Sequence, residues 1–418
     1  MIPLLVFFAV LFAYSLASRR LERTVVTAPM VFTVAGMLMF PSLAGILKAG
    51  GTPDILLHIA EIGLVLLLFT DASRTDLKVL RNIGNLPARL LSTGMLLTIL
   101  LGAVIAKLVF PQLSIWECGI LSSILAPTDA GLGQVVVTSP QVPVRIRQAL
   151  NVEAGLNDGL SVPFLLLFAA LSVARVQGAA LSLAHFIVEQ LGFGVLVGLP
   201  IGLAGGWLLD QAYRAKWITE PFRQIGVVTL PLLCFVVSMM TGASMFIASF
   251  VAGLAVQVRF KEAGEHSVEF AEEWGQFVNL GVFFLFGMAV VRDWPHLTTA
   301  SWVYAVLSLT VVRMLPVALA LVGARLSTAS VLFMGWFGPR GLSSIVLGLV
   351  YLEQQVHMPG EHPLRYAITA TVVLSIFAHG LTAVPGIDLY ARRVALLDAT
   401  APEHRELSAQ EATRSSFP

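Results

Sequence analysis

The chain has 418 residues, of which 57% are hydrophobic and only 12% are charged, whereas about a quarter are charged in soluble domains. This composition excludes an ordinary soluble protein and indicates a polytopic membrane protein. The net charge of +1 gives no reason to expect a nucleic-acid partner. The two cysteines, Cys118 and Cys234, lie in apolar segments and indicate neither a disulfide framework nor a metal cluster.

The apolar windows predict an all-α protein with about thirteen transmembrane helices, since crossing a bilayer takes about 17 to 25 residues. The first window has no positive stretch before it, so we interpret it as a retained span rather than a cleaved signal. The separation is weakest at Thr241 and Gly242, and the short window after them is alternatively re-entrant, which would make the count even. The predicted spans are 2–17, 25–47, 55–72, 86–110, 114–137, 145–173, 182–209, 224–240, 243–257, 268–291, 299–322, 327–352 and 366–388.

The distribution of Lys and Arg predicts the orientation. The side that begins with the loop after the first span carries nineteen of them, and the opposite side carries four. Because cytoplasmic loops are enriched in positive residues, we expect the N-terminus outside and the C-terminus in the cytoplasm, in the cell (inner) membrane. Residues 1–393 then form a single membrane unit, and residues 394–418 form a short cytoplasmic tail.

Three basic residues fall within predicted spans. Lys107 is near the outer end of its helix, where a lysine can extend to the headgroups. Arg313 is in the middle of the eleventh span and needs a buried anion as its partner. Arg340 lies in Gly338-Pro339-Arg340-Gly341, a helix-breaking cluster within the twelfth span.

The fifth span contains a second interruption, Ala126-Pro127-Thr128-Asp129-Ala130-Gly131-Leu132-Gly133. Paired interruptions in corresponding positions of two halves point to a secondary transporter with inverted repeats and a site near the bilayer midplane. Half-helix N-termini are partly positive and C-termini partly negative. We therefore predict that spans 5 and 12 are broken crossing helices, with Asp129 compensating the N-terminal ends and Arg340 the C-terminal ends.

Four polar or acidic residues occupy the sixth span in Asn151-Val-Glu153-Ala-Gly-Leu-Asn157-Asp158. Ionisable residues at membrane depth are a functional hypothesis by default. At about 100° per residue, Glu153 and Asp158 point roughly 140° apart, whereas Ala154 shares the face of Asp158. We therefore predict a Glu153–Arg313 ion pair, which leaves Asp158 as the remaining carboxylate.

The three acids and two bases of this predicted core sum to a charge of −1. One proton or one monovalent cation would neutralise it, which is the chemistry of an exchanger. Asn157 adds no second titrating carboxylate, so we expect electroneutral exchange of one proton per cation. Thr128 offers hard oxygen ligands that suit Na⁺ or Li⁺. Asp71 is a further candidate cation ligand, with a cap or partner for Arg74 as the alternative.

The combined motifs resemble the monovalent cation/proton antiporters of the electroneutral sodium/proton exchanger type, over about residues 1–390. The resemblance rests on Glu153-x-x-x-Asn157-Asp158, Pro127-Thr128-Asp129, Arg313 in the middle of its span, and Gly338-Pro339-Arg340-Gly341.

The resemblance implies a homodimer, with a dimerisation part made mainly of spans 1–3 and 7–10 and a moving core part made mainly of spans 4–6 and 11–13. It implies that Asp158 binds the cation and the proton, that Thr128 is a Na⁺ ligand, that Asn157 is the partner of Asp129, and that Glu153 and Arg313 form a structural pair. Membrane lipid is the expected surrounding, and no cofactor or nucleotide is expected beside the transported ions. Some relatives have a serine where this chain has Ala154, and some have a glutamate near Thr70 and Asp71, so K⁺ selectivity stays open.

Three other functions compete with exchange. An intramembrane enzyme is disfavoured because no His-Glu-x-x-His or Gly-x-Ser-x-Gly pattern is present. A cation channel would carry currents without coupled proton flux. A sodium-coupled symporter would accumulate its substrate without moving protons.

Overall fold

The computed structural model describes the chain in residues 2–21, 24–47, 54–74, 86–177, 191–258, 260, 265–354, 360–398 and 401–404. All regular structure in this part of the chain is helical, which confirms the predicted fold class. The start of the predicted seventh span and the end of the predicted tail lie outside the described residues.

Each of the thirteen predicted spans coincides with a helix or a pair of helices in the described residues. Eight helices are long and apolar enough to cross a membrane on their own, and the others are shorter or interrupted. The helices are α1 (Ile2–Leu21), α2 (Ala28–Leu47), α3 (Asp54–Arg74), α4 (Leu86–Val109, with a π-turn at Leu90–Gly94), α5 (Ile115–Ile124), α6 (Ala130–Thr138), α7 (Val144–Gln177), α8 (Phe193–Arg214), α9 (Glu220–Thr241), α10 (Met245–Val256), α11 (Glu265–Asp293), α12 (Thr299–Leu309), α13 (Val311–Ala320), α14 (Thr328–Trp336), α15 (Leu342–Gln354) and α16 (Glu361–Val394).

Local sequence signals set several helix ends. Ser114 and Glu117 form a capping box at the start of α5, which satisfies backbone donors that have no partner within the helix. Gly242 adopts a left-handed conformation, with φ of 72°, after α9, and Ser244 caps the start of α10. These two residues separate the spans that were hardest to divide in the sequence.

The helices form two packing groups. Helices α1 to α3 and α8 to α11 pack mainly against one another, and so do α4 to α7 and α12 to α16. The groups meet where α3 and α10 pack against α7, where α3 and α11 pack against α15, and where α2 and α11 pack against α16. The assignment of these groups to a dimerisation part and a moving core part stays a prediction.

Candidate functional site at the crossing of two interrupted helices

The two interrupted helices cross at their unwound segments. One break separates α5 from α6, and the other separates α14 from α15. The N–H of Asp129 donates to the carbonyl of Pro339 at 2.8 Å, which joins the two segments. Backbone groups that a break removes from helical pairing must find other partners inside the bundle, because lipid offers none.

Asp129 lies at the two half-helix N-termini. One carboxylate oxygen accepts the N–H of Leu132 at 2.8 Å and the other accepts the N–H of Leu342 at 2.5 Å. A single carboxylate therefore caps both α6 and α15, whose N-terminal ends carry partial positive charge. A side chain on Gly341 would overlap this carboxylate, so the close approach requires glycine there.

The fully buried Arg340 lies at the C-terminal end of α5. Its Nη1 donates to the carbonyls of Ala126 and Pro127, the latter at 2.8 Å. Its backbone N–H donates to the hydroxyl of Ser375 at 2.6 Å, and the hydroxyl of Ser344 donates to the Ile124 carbonyl at 2.7 Å. The guanidinium therefore lies at the end of the helix, where carbonyl oxygens have no N–H partner within the helix.

Glu153 and Arg313 form a buried ion pair between α7 and α13. Nη1 of the arginine is 2.5 Å from one carboxylate oxygen of Glu153, and Nη2 is 2.9 Å from the other. Bidentate pairing of this kind is the strongest geometry available to arginine. A side chain on Gly338 would overlap the guanidinium, so glycine is required beside Arg313 as well.

Asp158, Asn157 and Thr128 are all buried in the helices that meet at the crossing. Nδ2 of Asn157 donates to the hydroxyl of Thr128 at 2.6 Å. Ser343 lies within hydrogen-bonding reach of the Asp158 carboxyl group. One oxygen of Asp158 and the amide oxygen of Asn157 are buried without a hydrogen-bond partner among the described residues, so two acceptors are available to a ligand.

One predicted contact is wrong. The resemblance implied that Asn157 would partner Asp129, but its amide donates to Thr128 instead. The reason is that both carboxylate oxygens of Asp129 accept backbone N–H groups at the two helix ends.

Asp71 and Thr70 lie near the end of α3, which packs against the helices that carry Asp158 and Ser343. The hydroxyl of Thr70 donates to the Leu66 carbonyl of its own helix at 3.0 Å. A part for Asp71 in cation binding stays a prediction.

Sequence reasoning missed three polar residues at this site. His379 carries no local sequence signal for this site, but its Nε2 is 2.9 Å from the carbonyl of Trp336, at the C-terminal end of α14. Ser375 and Ser343 were not singled out. Ser343 carried a usable signal, because it follows the second break directly and therefore lies in the first turn of a half-helix.

A bundle of apolar helices in which two interrupted helices cross beside buried carboxylates has the architecture of a secondary transporter. The chain matches the sequence profile of the family described as "Sodium/hydrogen exchanger, transmembrane" over residues 6–387. It therefore belongs to that family, as the motifs predicted.

Its curated relatives include antiporters named for different cations. The chain is 25% identical over 364 residues to Na(+)/H(+) antiporter 2 of Zygosaccharomyces rouxii, covering 82% of this chain and 45% of the relative. It is 24% identical over 371 residues to the K(+)/H(+) antiporter NhaP of Alkalimonas amylolytica, covering 85% of this chain and 61% of the relative. The chain thus spans about half the length of these relatives.

The fold is also similar to a solved structure. The sodium proton antiporter MjNhaP1 from Methanocaldococcus jannaschii at pH 8 superimposes with a TM-score of 0.68 and 18% sequence identity, over 96% of this chain and 99% of that chain. This likeness supports the helical arrangement described above.

Proposed function

We propose that the protein is a secondary active antiporter that exchanges Na⁺ or Li⁺ for H⁺ across the membrane, one for one. Asp158 binds either the cation or the proton, and alternating access carries the site from one side to the other. The family membership, and the relatives named as antiporters, support exchange of a monovalent cation for a proton.

The observation that carries the proposal is that one Asp158 oxygen and the Asn157 amide oxygen are buried without hydrogen-bond partners among the described residues, and that Asn157 also contacts the Thr128 hydroxyl. An acceptor buried without a partner costs free energy. A bound Na⁺ would use both oxygens, and a proton would neutralise Asp158. The other core charges already have protein partners, so Asp158 is the group left to alternate between the two ions.

K⁺/H⁺ exchange is the second candidate, and one residue favours it. Ala154 shares the face of Asp158 on α7 and supplies no hydroxyl oxygen, so the site has fewer fixed hard ligands. A site with fewer fixed oxygen ligands discriminates less against the larger K⁺ ion. The relatives named as K(+)/H(+) antiporters are consistent with this choice.

The test is proton movement in everted vesicles or proteoliposomes, followed with a pH-sensitive dye. Na⁺, Li⁺ and K⁺ are added in turn after a proton gradient has formed. We expect Na⁺ and Li⁺ to dissipate the gradient. A response to K⁺ alone would reassign the cation, and no response to any of the three in folded protein would refute antiport.

We further propose that the protein works as a homodimer in the cell membrane, with the N-terminus outside. Helix α1 is the surface that we propose for the dimer interface, because a row of its large apolar side chains is exposed: Leu4, Leu5, Phe8, Phe12 and Leu16. A second protomer or lipid must cover this row. Disulfide cross-linking of Phe12→Cys protein in membranes should yield a dimer, whereas monomer alone in detergent and in membranes would refute the assembly.

A further inference from the structure

A row of polar side chains on α16 faces the second break. Ser375, His379 and Thr382 are spaced at i, i+4 and i+7, so they share one face of the helix. The segment that they contact runs from Trp336, the last residue of α14, to Arg340. Ser375 and His379 are both buried. We call Ser375, His379 and Thr382 the α16 bracket.

Each residue of the α16 bracket contacts a polar group of this segment. The hydroxyl of Ser375 accepts the backbone N–H of Arg340 at 2.6 Å. Nε2 of His379 is 2.9 Å from the carbonyl oxygen of Trp336, and the hydroxyl of Thr382 accepts the indole N–H of Trp336 at 2.9 Å. The rings of His379 and Trp336 also stack, with their centroids 5.0 Å apart. The segment is therefore held at both of its ends.

A neutral His379 with its proton on Nε2 fits these contacts. Nδ1 of His379 is 3.2 Å from the hydroxyl oxygen of Ser375 and 2.9 Å from the carbonyl oxygen of Ser375. In this tautomer the ring donates to the Trp336 carbonyl, and Nδ1 accepts the hydroxyl proton of Ser375. The Trp336 carbonyl also accepts the N–H of Gly338 at 2.8 Å. It needs donors because the C-terminal end of a half-helix is partly negative.

The segment that the α16 bracket holds leads directly into the proposed ion site. Two residues after Arg340, α15 begins at Leu342. Ser343, in the first turn of α15, lies within hydrogen-bonding reach of the Asp158 carboxyl group. Close-packed interiors transmit small displacements. A shift of Arg340 would therefore carry the Ser343 hydroxyl away from Asp158.

We propose that His379 and Ser375 are positioning residues for cation binding, because they fix the unwound segment that keeps Ser343 against the Asp158 carboxyl group. The groups that they join belong to α14, to the second break and to α16, which lie in one packing group. The two residues should therefore act on the affinity for the cation rather than on motion between the packing groups. This inference rests on the proposed antiport.

The first experiment compares His379→Gln with His379→Asn in proteoliposomes. A glutamine can place its amide nitrogen near the position of Nε2, whereas an asparagine places its amide near that of Nδ1. His379→Gln should therefore keep the apparent KM for the driving cation. His379→Asn should raise that KM about fivefold, the effect of one lost neutral hydrogen bond. The maximal rate per folded protein should be little changed by either. Equal KM values in the two variants, raised or not, would refute the role of Nε2.

Ser375→Ala tests the other contact, and Thr371→Val is its matched control. Both variants remove a buried hydroxyl from α16, but the hydroxyl of Thr371 donates to the Ala367 carbonyl of its own helix at 2.7 Å. Ser375→Ala should raise KM severalfold, because the N–H of Arg340 loses its acceptor. Thr371→Val should leave KM unchanged. An equal rise in both variants, or no rise in Ser375→Ala, overturns the inference.

The nitrogen NMR spectrum of the histidine rings tests the α16 bracket without relying on transport. The signals of His379 are those lost in His379→Gln protein. At neutral pH we expect a protonated Nε2 and a bare Nδ1, and the Nδ1 signal should shift in Ser375→Ala protein. A proton on Nδ1 in place of Nε2 refutes the α16 bracket, whatever the transport assay gives.

The two readouts separate the hypotheses. The expected NMR result, in a protein that moves no protons with Na⁺, Li⁺ or K⁺, would support the α16 bracket and refute the antiport proposal. Exchange that is intact and has the same KM in His379→Asn, in His379→Gln and in the unaltered chain would support antiport and refute the positioning role.

Discussion

At the scale of single residues, Asp158 differs from the other buried charges of the crossing. Asp129 accepts two backbone N–H groups, Arg340 donates to backbone carbonyls, and Glu153 pairs with Arg313. Asp158 keeps one oxygen without a partner among the described residues. The charge of Asp158 is therefore the one that can change during the proposed transport cycle without breaking a contact that joins the helices.

Asp158→Asn should abolish cation-driven proton movement and leave folding intact, because it removes the alternating charge but none of the contacts that join the helices. Asp158→Glu should retain part of the activity with altered cation affinity. The measurement is the dye assay in proteoliposomes, with size-exclusion profiles to check folding. Appreciable exchange by folded Asp158→Asn would remove Asp158 from the site.

The Glu153–Arg313 pair makes a stability prediction. Glu153→Ala and Arg313→Ala should each destabilise the protein by about 3 to 5 kcal/mol, since each leaves a buried charge without its partner. The double variant should lose less free energy of unfolding than the sum of the two single losses, because neither charge is then left buried without its partner. Thermal unfolding in detergent measures all three variants, and strictly additive losses would show that the two residues are not coupled.

At the scale of helices, the breaks explain what could be predicted from sequence and what could not. A half-helix end requires an opposite charge, so Asp129 and Arg340 could be assigned from their place in two Pro/Gly interruptions. The Glu153–Arg313 pair followed from helix angles and from the cost of an unpaired charge. The partner of Asn157 and the position of His379 depend on how helices far apart in sequence cross, which no local pattern specifies.

A short turn beyond the last predicted span, Pro402–His404, contacts three helices. The Glu403 carboxylate accepts the N–H of Ser327 at 2.7 Å and the hydroxyl of Ser330 at 2.8 Å, at the start of α14. Ser330 also contacts the hydroxyl of Tyr390 on α16. Arg145, in the first turn of α7, donates to the carbonyl of Pro402 at 3.1 Å.

This turn should be docked at neutral pH and released in acid. Burial alone would raise the pKa of Glu403, but the hydrogen bonds from Ser327 and Ser330 bring that pKa below its usual value. A lowered folded-state pKa means that the contribution of Glu403 is present above the unfolded value of about 4.3. The contribution is lost as the pH falls through the folded-state value.

The measurement is hydrogen exchange of amides in residues 395–404, corrected for intrinsic rates, at pH 7 and near pH 3.5. Protection should fall in acid, and Glu403→Gln should lower it already at pH 7. Asp398→Asn is the control, because Asp398 is an exposed carboxylate in the same segment and should behave like the unaltered chain. Equal protection at both pH values would contradict the role of Glu403.

At the scale of the whole molecule, the cycle should move no net charge. In the proposed cycle Asp158 exchanges one proton for one cation, and Asn157 supplies no second titrating group. Glu153 stays paired with Arg313. Transport in proteoliposomes should therefore be insensitive to a K⁺/valinomycin potential. A stoichiometry of two protons per cation would instead respond to about 2.3 kcal/mol per net charge for each 100 mV.

Asn157→Asp is the sharper form of this last test. It places a second carboxylate beside Asp158, where like charges disfavour joint ionisation, and it removes the amide donor to Thr128. We expect a change in the pH dependence of transport but no electrogenic exchange, because the Glu153–Arg313 pair remains locked. If the transport rate of the unaltered protein depended on voltage, a second buried group would have to release a proton in each cycle. Glu153 and Asp71 are the first candidates for that group.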